Sequence, residues 1–209
     1  TAGFLVFDLP GLSQRGGHTK AYNNYLHDNN LNNFAKAGSF GTSWGVGNAA
    51  PGSGIIILAT SDVELYNNRI INNNSSAISI ASGLTVDDKA MEKINATYFP
   101  ISRNISIHDN IMEMGQSFPK EAYTHHMGQM LVGVEQKLAQ LDPSRKNTRI
   151  PFILYDGVTT NIMNNGTVPN PDSICIRQTG TNLFVNADIM HISSKSWHPD
   201  TDIKPYTCQ

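Results

Sequence analysis

The sequence predicts an all-β fold, a right-handed single-stranded parallel β-helix with three strands per coil, loop insertions and one amphipathic α-helix near residues 119–141. Three observations lead to this fold class. Strand-like segments recur at intervals of roughly 20 residues, apolar and polar residues alternate within them, and asparagine recurs at one place in the repeat. Because one coil cannot bury its own apolar face, such coils form a core only by stacking, about 4.8 Å apart.

The repeat aligns three strands in successive coils. The first strand recurs at 3–6, 54–57 and 77–80, the second at 19–21, 63–65 and 105–107, and the third at 24–26, 68–70 and 110–112. Side chains alternate between the two faces of a strand. We therefore expect the following residues to point inward: Phe4, Val6, Ala21, Leu26, Ile55, Ile57, Val63, Leu65, Ile70, Ile78, Ile80, Ile105, Ile107 and Met112.

Asparagine occupies the bend between the second and third strands in each aligned coil, at Asn24, Asn68 and Asn110. Asparagine tolerates the left-handed backbone conformation that such bends require. Its amide group can also bond to the equivalent amide one coil away. The pattern therefore predicts an asparagine ladder along the stack of coils.

Insertions interrupt the period at 31–53, 82–102 and 116–148 of a single domain that spans residues 1–209. The last insertion contains apolar residues at helical spacing: Tyr123, Met127, Met130, Leu131, Val134, Leu138 and Leu141. Leu5, Ile56 and Leu58 point outward in the first-strand row, and such apolar stripes are usually covered. We expect the first insertion or this helix to cover them. PFILYDGV and SICI are predicted to be the last strands, followed by an irregular tail from Trp197.

Composition excludes several classes of function. The net charge is −2 and only 15% of residues are charged, which does not favour nucleic acid as a partner. No apolar run is long enough to span a membrane. The chain opens directly in the strand-like AGFLVF, without a signal peptide, so we expect it to be the C-terminal part of a longer protein. Cys175 and Cys208 either form a disulfide that holds the tail, as in exported proteins, or remain two reduced thiols.

Several segments together resemble one known family. They are GFLVFDLPGL, GGHTKAYNNYLHDNNLNNFA, PGSGIIILATSDVELYNNRIINN, ILYDGV and the later ICI. Over residues 2–176 the chain resembles exported bacterial parallel β-helix repeat proteins of the pectate-lyase-like superfamily. In that family further coils precede the segment that begins like GFLVFDLPGL. The resemblance implies that N-terminal coils of the same protein stack on residues 2–7, and it specifies no reaction.

A polysaccharide lyase or epimerase must neutralise a uronate carboxylate and place a base near the C-5 proton. Lys20, Glu64 and His108 fall on outward positions of equivalent second strands, with Arg69 around the corner, and they are the catalytic candidates. The aligned rows contain no cluster of three acidic residues for calcium and no Asp-Pro-His-Asp motif of mannuronan epimerases. His125 and His126 are adjacent and lack ligand spacing, so we predict neither a metal site nor a cofactor.

A second outward row contains Tyr22, Tyr66 and His108, whose rings could form a platform for sugar rings. Paired carboxylates for a glycoside hydrolase, such as Glu64 with Asp109 or Asp8 with Asp28, are not singled out by their spacing.

The sequence therefore predicts a secreted, periplasmic or cell-surface protein that binds an acidic polysaccharide along its flank, with lyase-like or epimerase-like processing if it is catalytic. The alternative is a non-catalytic scaffold or adhesin module. The lack of an acidic cluster favours the alternative.

Overall fold

The computed structural model describes residues 2–35, 46–115, 118–145, 151–178 and 184–208. The strands within these ranges are short, and every pair between them is parallel. Their bounds are β1 Ala2–Phe7, β2 Thr19–Tyr22, β3 Tyr25–His27, β4 Ser53–Leu58, β5 Ser61–Tyr66, β6 Arg69–Ile71, β7 Ser76–Ala81, β8 Arg103–His108, β9 Ile111–Glu113, β10 Ile153–Tyr155, β11 Ile174–Arg177 and β12 Phe184–Asn186.

The strands form three parallel sheets, which gives an all-β fold of the parallel β-helix type. Sheet 1 has the order β1-β4-β7-β10-β12, sheet 2 the order β11-β8-β5-β2, and sheet 3 the order β3-β6-β9. Successive strands along the chain move from one sheet to the next and then return to the first. β12 was not predicted from the sequence.

The register of the sheets confirms the predicted alignment of the coils. The paired residues are Phe4, Ile55 and Ile78 in sheet 1, Thr19, Val63 and Ile105 in sheet 2, and Leu26, Ile70 and Met112 in sheet 3. A shift by one residue would turn each apolar set from the core to the solvent, so burial fixes this register.

The core consists of the apolar residues that alternate along these strands. Ile55, Ile78 and Leu65 are fully buried, whereas Val6, Leu26 and Met112 are partly buried against the same cluster. Phe4 is in register with Ile55 yet 36% exposed. The reason is that β1 lies at the edge of sheet 1, and no other described strand packs beyond it.

The predicted asparagine ladder is present as a chain of amide hydrogen bonds. The Nδ2 of Asn24 donates to the Oδ1 of Asn68 at 2.9 Å, and the Nδ2 of Asn68 donates to the Oδ1 of Asn110 at 2.9 Å. The left-handed conformation, however, falls one residue earlier in the chain, at Asn23, Asn67 and Asp109. Two neighbouring residues therefore share the bend: the first adopts the left-handed turn conformation, and the second forms the amide hydrogen bonds of the ladder.

A second set of amide bonds, not predicted from the sequence, follows the third strands. The Nδ2 of Asn29 donates to the Oδ1 of Asn73 at 2.9 Å. The backbone N–H of Asn74 donates to the Oδ1 of Asn30 at 2.9 Å. Asparagine thus ties neighbouring coils together at two corners.

The predicted helix begins later than the sequence suggested. α1 runs from His126 to Leu141, after a separate 3-10 turn at Lys120–Tyr123. The break falls at His125, which is extended and whose Nε2 lies 3.0 Å from the carbonyl of Gly47. As a result, Tyr123 lies off the helix and is 54% exposed rather than packed beneath it. A short second helix, α2, spans Asn161–Asn164.

The helix packs on the outward face of sheet 1. Leu131, Val134 and Leu138 are buried there against Leu154 and Val185. None of the described helices is both long and apolar enough to cross a membrane.

The tail from Trp197 is less irregular than predicted, because part of it closes one end of the core. It contains a 3-10 turn at Lys204–Tyr206, and Thr207 forms a parallel bridge with Ile176. The ring of Tyr206 packs within 5.0 Å of Phe184 and is buried.

Candidate functional site

The outward face of sheet 2 contains most of the residues that the sequence singled out. One row across its strands consists of Lys20, Glu64, Ser106 and Cys175. The next row consists of Tyr22, Tyr66, His108 and Arg177. Parallel pairing in a fixed register brings these side chains together although they come from distant parts of the chain.

A continuous chain of ionic contacts crosses this face. Lys20 Nζ lies 2.8 Å from Glu64 Oε2, and Glu64 Oε1 lies 3.3 Å from His108 Nε2. On its other side, His108 Nδ1 lies 2.7 Å from Asp109 Oδ2. Arg177 reaches the same Asp109 oxygen at 3.6 Å. The imidazole of His108 therefore bridges two carboxylates, and only its imidazolium form can donate to both.

These contacts favour the charged forms of Lys20, Glu64 and Asp109. The hydrogen bond from Lys20, reinforced by His108, lowers the pKa of Glu64, and the same bond raises the pKa of Lys20. The hydrogen bond with His108 lowers the pKa of Asp109. A general acid or base works best with a pKa near the operating pH, and these shifts move all three groups away from neutrality. The arrangement therefore suits recognition of charge better than proton transfer.

The aromatic row forms a stack along the coils. The ring centroids of Tyr22 and Tyr66 are 4.9 Å apart with planes at 12°, and those of Tyr66 and His108 are 5.2 Å apart with planes at 2°. Each ring turns much of its face toward the next ring. A sugar that approaches from the side therefore meets the ring edges and the tyrosine hydroxyls. A sugar ring could stack face to face on Tyr22, which ends the row and is 49% exposed.

An open depression of about 280 Å³ lies beside these rows. We call it the flank depression, and it is lined by His18, Lys20, Asp62, Val63, Glu64, Asn104 and Ser106. Lys20 forms part of its wall and is 66% exposed. A polar groove that opens on a row of charges can hold a hydroxyl-rich ligand.

Sequence reasoning missed His18, Asp62 and Asn104 in this depression. All three have left-handed backbone conformations, with φ of 56°, 59° and 52°. His18 immediately precedes β2, whereas Asp62 and Asn104 are the second residues of β5 and β8. The amide of Asn104 donates to Asp62, which lowers the pKa of that carboxyl. The recurrence of His, Asp and Asn one residue before the aligned segments was the signal that could have identified this row.

Arg69 is not brought into the ionic chain. It lies in sheet 3, where its guanidinium sits 5.3 Å from the ring centroid of Tyr25. The other neighbour of that ring is His27, whose ring centroid is 4.4 Å away. In the described residues Arg69 thus belongs to a separate aromatic cluster around the corner from Glu64.

The two cysteines form a disulfide with a Cα–Cα distance of 5.3 Å. Cys175 continues the Lys20 row on sheet 2, so the bond fastens the tail at the end of the flank. In the part of the chain that the structure describes, no three His, Cys, Asp or Glu side chains are grouped so that they could hold a metal ion.

No family model, curated protein or solved structure matches this chain. The function is therefore inferred from the residues on the outward face of sheet 2.

Proposed function

We propose that this protein binds a polysaccharide along the outward face of sheet 2, without processing it there. The observation that carries the proposal is the flank depression beside a continuous row of polar and charged side chains in contact with one another. Coils stack about 4.8 Å apart, which is close to the length that one sugar ring adds to a linear glycan. A chain lying along the stack would thus present one ring to each coil.

An acidic polysaccharide is the leading ligand. Lys20 is the most exposed cation of the ionic chain, and it would face a uronate carboxylate while Glu64 and Asp62 accept hydroxyl groups. Lyase or epimerase chemistry is the second form of the proposal. It is disfavoured because Lys20 and Glu64 stabilise each other as ions, which leaves no base near neutrality in this pair.

The non-catalytic scaffold or adhesin remains the alternative function. The observation that favours it is that the charged side chains and the rings on the outward face of sheet 2 contact one another, as they would in a purely structural row.

For both functions we propose a right-handed β-helix of the pectate-lyase-like superfamily, since parallel crossovers are almost always right-handed. We also propose an exported location, which the Cys175–Cys208 disulfide supports, and stacking of further coils on residues 2–7, because none of the described strands pairs with the outer edge of β1.

The test is glycan binding by the purified protein on a broad array of acidic and neutral polysaccharides. We expect Lys20→Met and Tyr66→Ala to weaken binding of the selected glycan by about tenfold, the effect of roughly 1.4 kcal/mol. Tyr123→Ala is the matched control, because Tyr123 is an exposed tyrosine on the turn before α1. Ultraviolet absorbance of unsaturated chain ends measures lyase activity in the same samples.

Two outcomes would contradict the proposal. If no polysaccharide in the panel binds, the scaffold alternative stands. If binding survives both Lys20→Met and Tyr66→Ala unchanged, the glycan binds elsewhere on the protein. Release of unsaturated ends would instead show that the flank is catalytic.

A further inference from the structure

A hollow interrupts the outward face of sheet 1. The row across its strands consists of Leu5, Ile56, Ser79, Leu154 and Val185. In β7 the outward residues Ser79 and Ala81 are small, whereas their neighbours in β4, Ile56 and Leu58, are large. The loss of side-chain volume at β7 leaves space above the sheet.

The helix and the end of the first insertion roof this hollow. Met127, Met130 and Leu131 of α1 lie over it together with residues 48–50, and they border a partly open cavity of about 80 Å³. The contact between His125 and the carbonyl of Gly47 holds these two parts of the roof side by side. Leu5, Ile56 and Leu58 are thus covered by both the first insertion and α1, as the sequence predicted for one or the other. The cover does not fill the hollow above β7.

The cavity wall is apolar apart from a few groups, of which one is ionisable. The hydroxyl of Ser79 is engaged with that of Ser76 at 2.6 Å. The carboxyl of Asp156 is buried and accepts the N–H groups of Ser82 at 2.6 Å and Val158 at 3.0 Å. The hydroxyl of Ser82 acts on this carboxyl as a third hydrogen-bond donor. A carboxylate has about four acceptor positions, so these three donors leave capacity for one more.

Among the described residues of the cavity wall none balances the charge of Asp156, since none of them is Lys, Arg or His. Burial raises the pKa of Asp156 to about 6, against the effect of the hydrogen bonds from the Ser82 side chain and from the N–H groups of Ser82 and Val158. In a medium of low polarity a cation paired with that carboxylate would be held more strongly than in water. Apolar cavities exclude water, so the remaining wall favours a hydrocarbon group.

We propose that this cavity binds a small aliphatic amine, with its alkyl group among Ile56, Met127 and Met130 and its ammonium group donating to Asp156. The volume of 80 Å³ is about half that of an apolar cavity known to hold benzene, at about 150 Å³, so the alkyl group has only a few carbons. The unbranched side chains of the two methionines can adjust to its shape. This site is separate from the flank of sheet 2 and does not depend on glycan binding.

The experiment compares n-propylammonium with its uncharged analogue n-propanol. Binding to the full chain is followed through the methyl resonances of Met127 and Met130 during titration. We expect saturable shifts with the amine and at least tenfold weaker binding of the alcohol. Asp156→Asn is expected to remove this preference for the amine.

Filling the hollow provides the second test. Ala81→Leu or Ser79→Val should abolish the shifts while the protein remains folded, and Ser13→Val on an exposed loop should leave them unchanged. Two variants are used because a larger side chain can overpack the site. The proposal is overturned if the amine does not bind, if the alcohol binds equally well, or if binding persists in both filled variants.

Discussion

Asn68 is the central member of the asparagine ladder, and its removal should be costly. The residue is fully buried. Its Nδ2 donates to the carbonyl of Ala21 at 2.9 Å and to Asn110 Oδ1 at 2.9 Å, and its Oδ1 accepts the backbone N–H of Asn24 at 3.1 Å. In Asn68→Ala the Ala21 carbonyl and the Asn24 N–H lose these partners. The exposed Asn24 amide also loses its bond to Asn68 but keeps its bond to the Tyr22 carbonyl, at 3.2 Å. Asn110 Oδ1 keeps the backbone N–H of residue 68, at 3.0 Å.

Each buried polar group left without a partner costs about 1–3 kcal/mol. With two such groups, one of them only partly buried, we expect Asn68→Ala to lower the free energy of unfolding by about 3 kcal/mol. Asn24→Ala is the matched control, because Asn24 is exposed and Asn68 Oδ1 would keep the backbone N–H of residue 24. For this control we expect a loss of about 1 kcal/mol or less.

The assay is urea denaturation of the wild-type protein and both variants. Their free energies of unfolding are compared with one common slope of free energy against urea concentration. Asn68→Asp adds a further comparison, since it keeps the acceptor for Asn24 but loses both donated bonds. If Asn68→Ala costs no more than Asn24→Ala, the ladder does not stabilise the stacked coils, and the reasoning is refuted.

Three further perturbations test other parts of the fold. The folded-state pKa of about 6 for Asp156 lies above its unfolded value, so the contribution of this carboxyl to stability should rise by about 2 kcal/mol as the pH falls from above 6 to 4. Asp156→Asn should remove this contribution when denaturation is measured at each pH. Reducing the Cys175–Cys208 bond, with its separation of 33 residues, should lower the free energy of unfolding by about 3–4 kcal/mol, and an unchanged denaturation midpoint would argue against a stabilising bond. Gly54→Ala should cost about 1–3 kcal/mol, because a Cβ there would lie 2.4 Å from the carbonyl oxygen of Ala77, and a neutral result would mean that the coils shift freely.

The candidate site was predictable in part. Lys20, Glu64 and His108 were placed in neighbouring positions by the repeat alone, because residues in equivalent strands of stacked coils must lie side by side. The bridging role of His108 between Glu64 and Asp109 was not predictable. It depends on Asp109 taking the left-handed turn position, and only the folded bend shows which residue takes it.

The sequence by itself determined the stacking of the coils. Alternation sets which face of each strand is buried, and the asparagines mark the same bend in each coil, so Phe4, Ile55 and Ile78 had only one consistent register. These are local demands that each coil repeats, and they can be recognised without any knowledge of the other coils.

The tertiary structure alone decided what lies on the outside of the coils. The start of α1 at His126 depends on a contact with Gly47, and the cavity depends on Ser79 and Ala81 lying beneath that helix. Neither feature is repeated along the chain. Insertions pack wherever the finished sheet offers them an apolar surface, and that surface exists only once the coils have stacked.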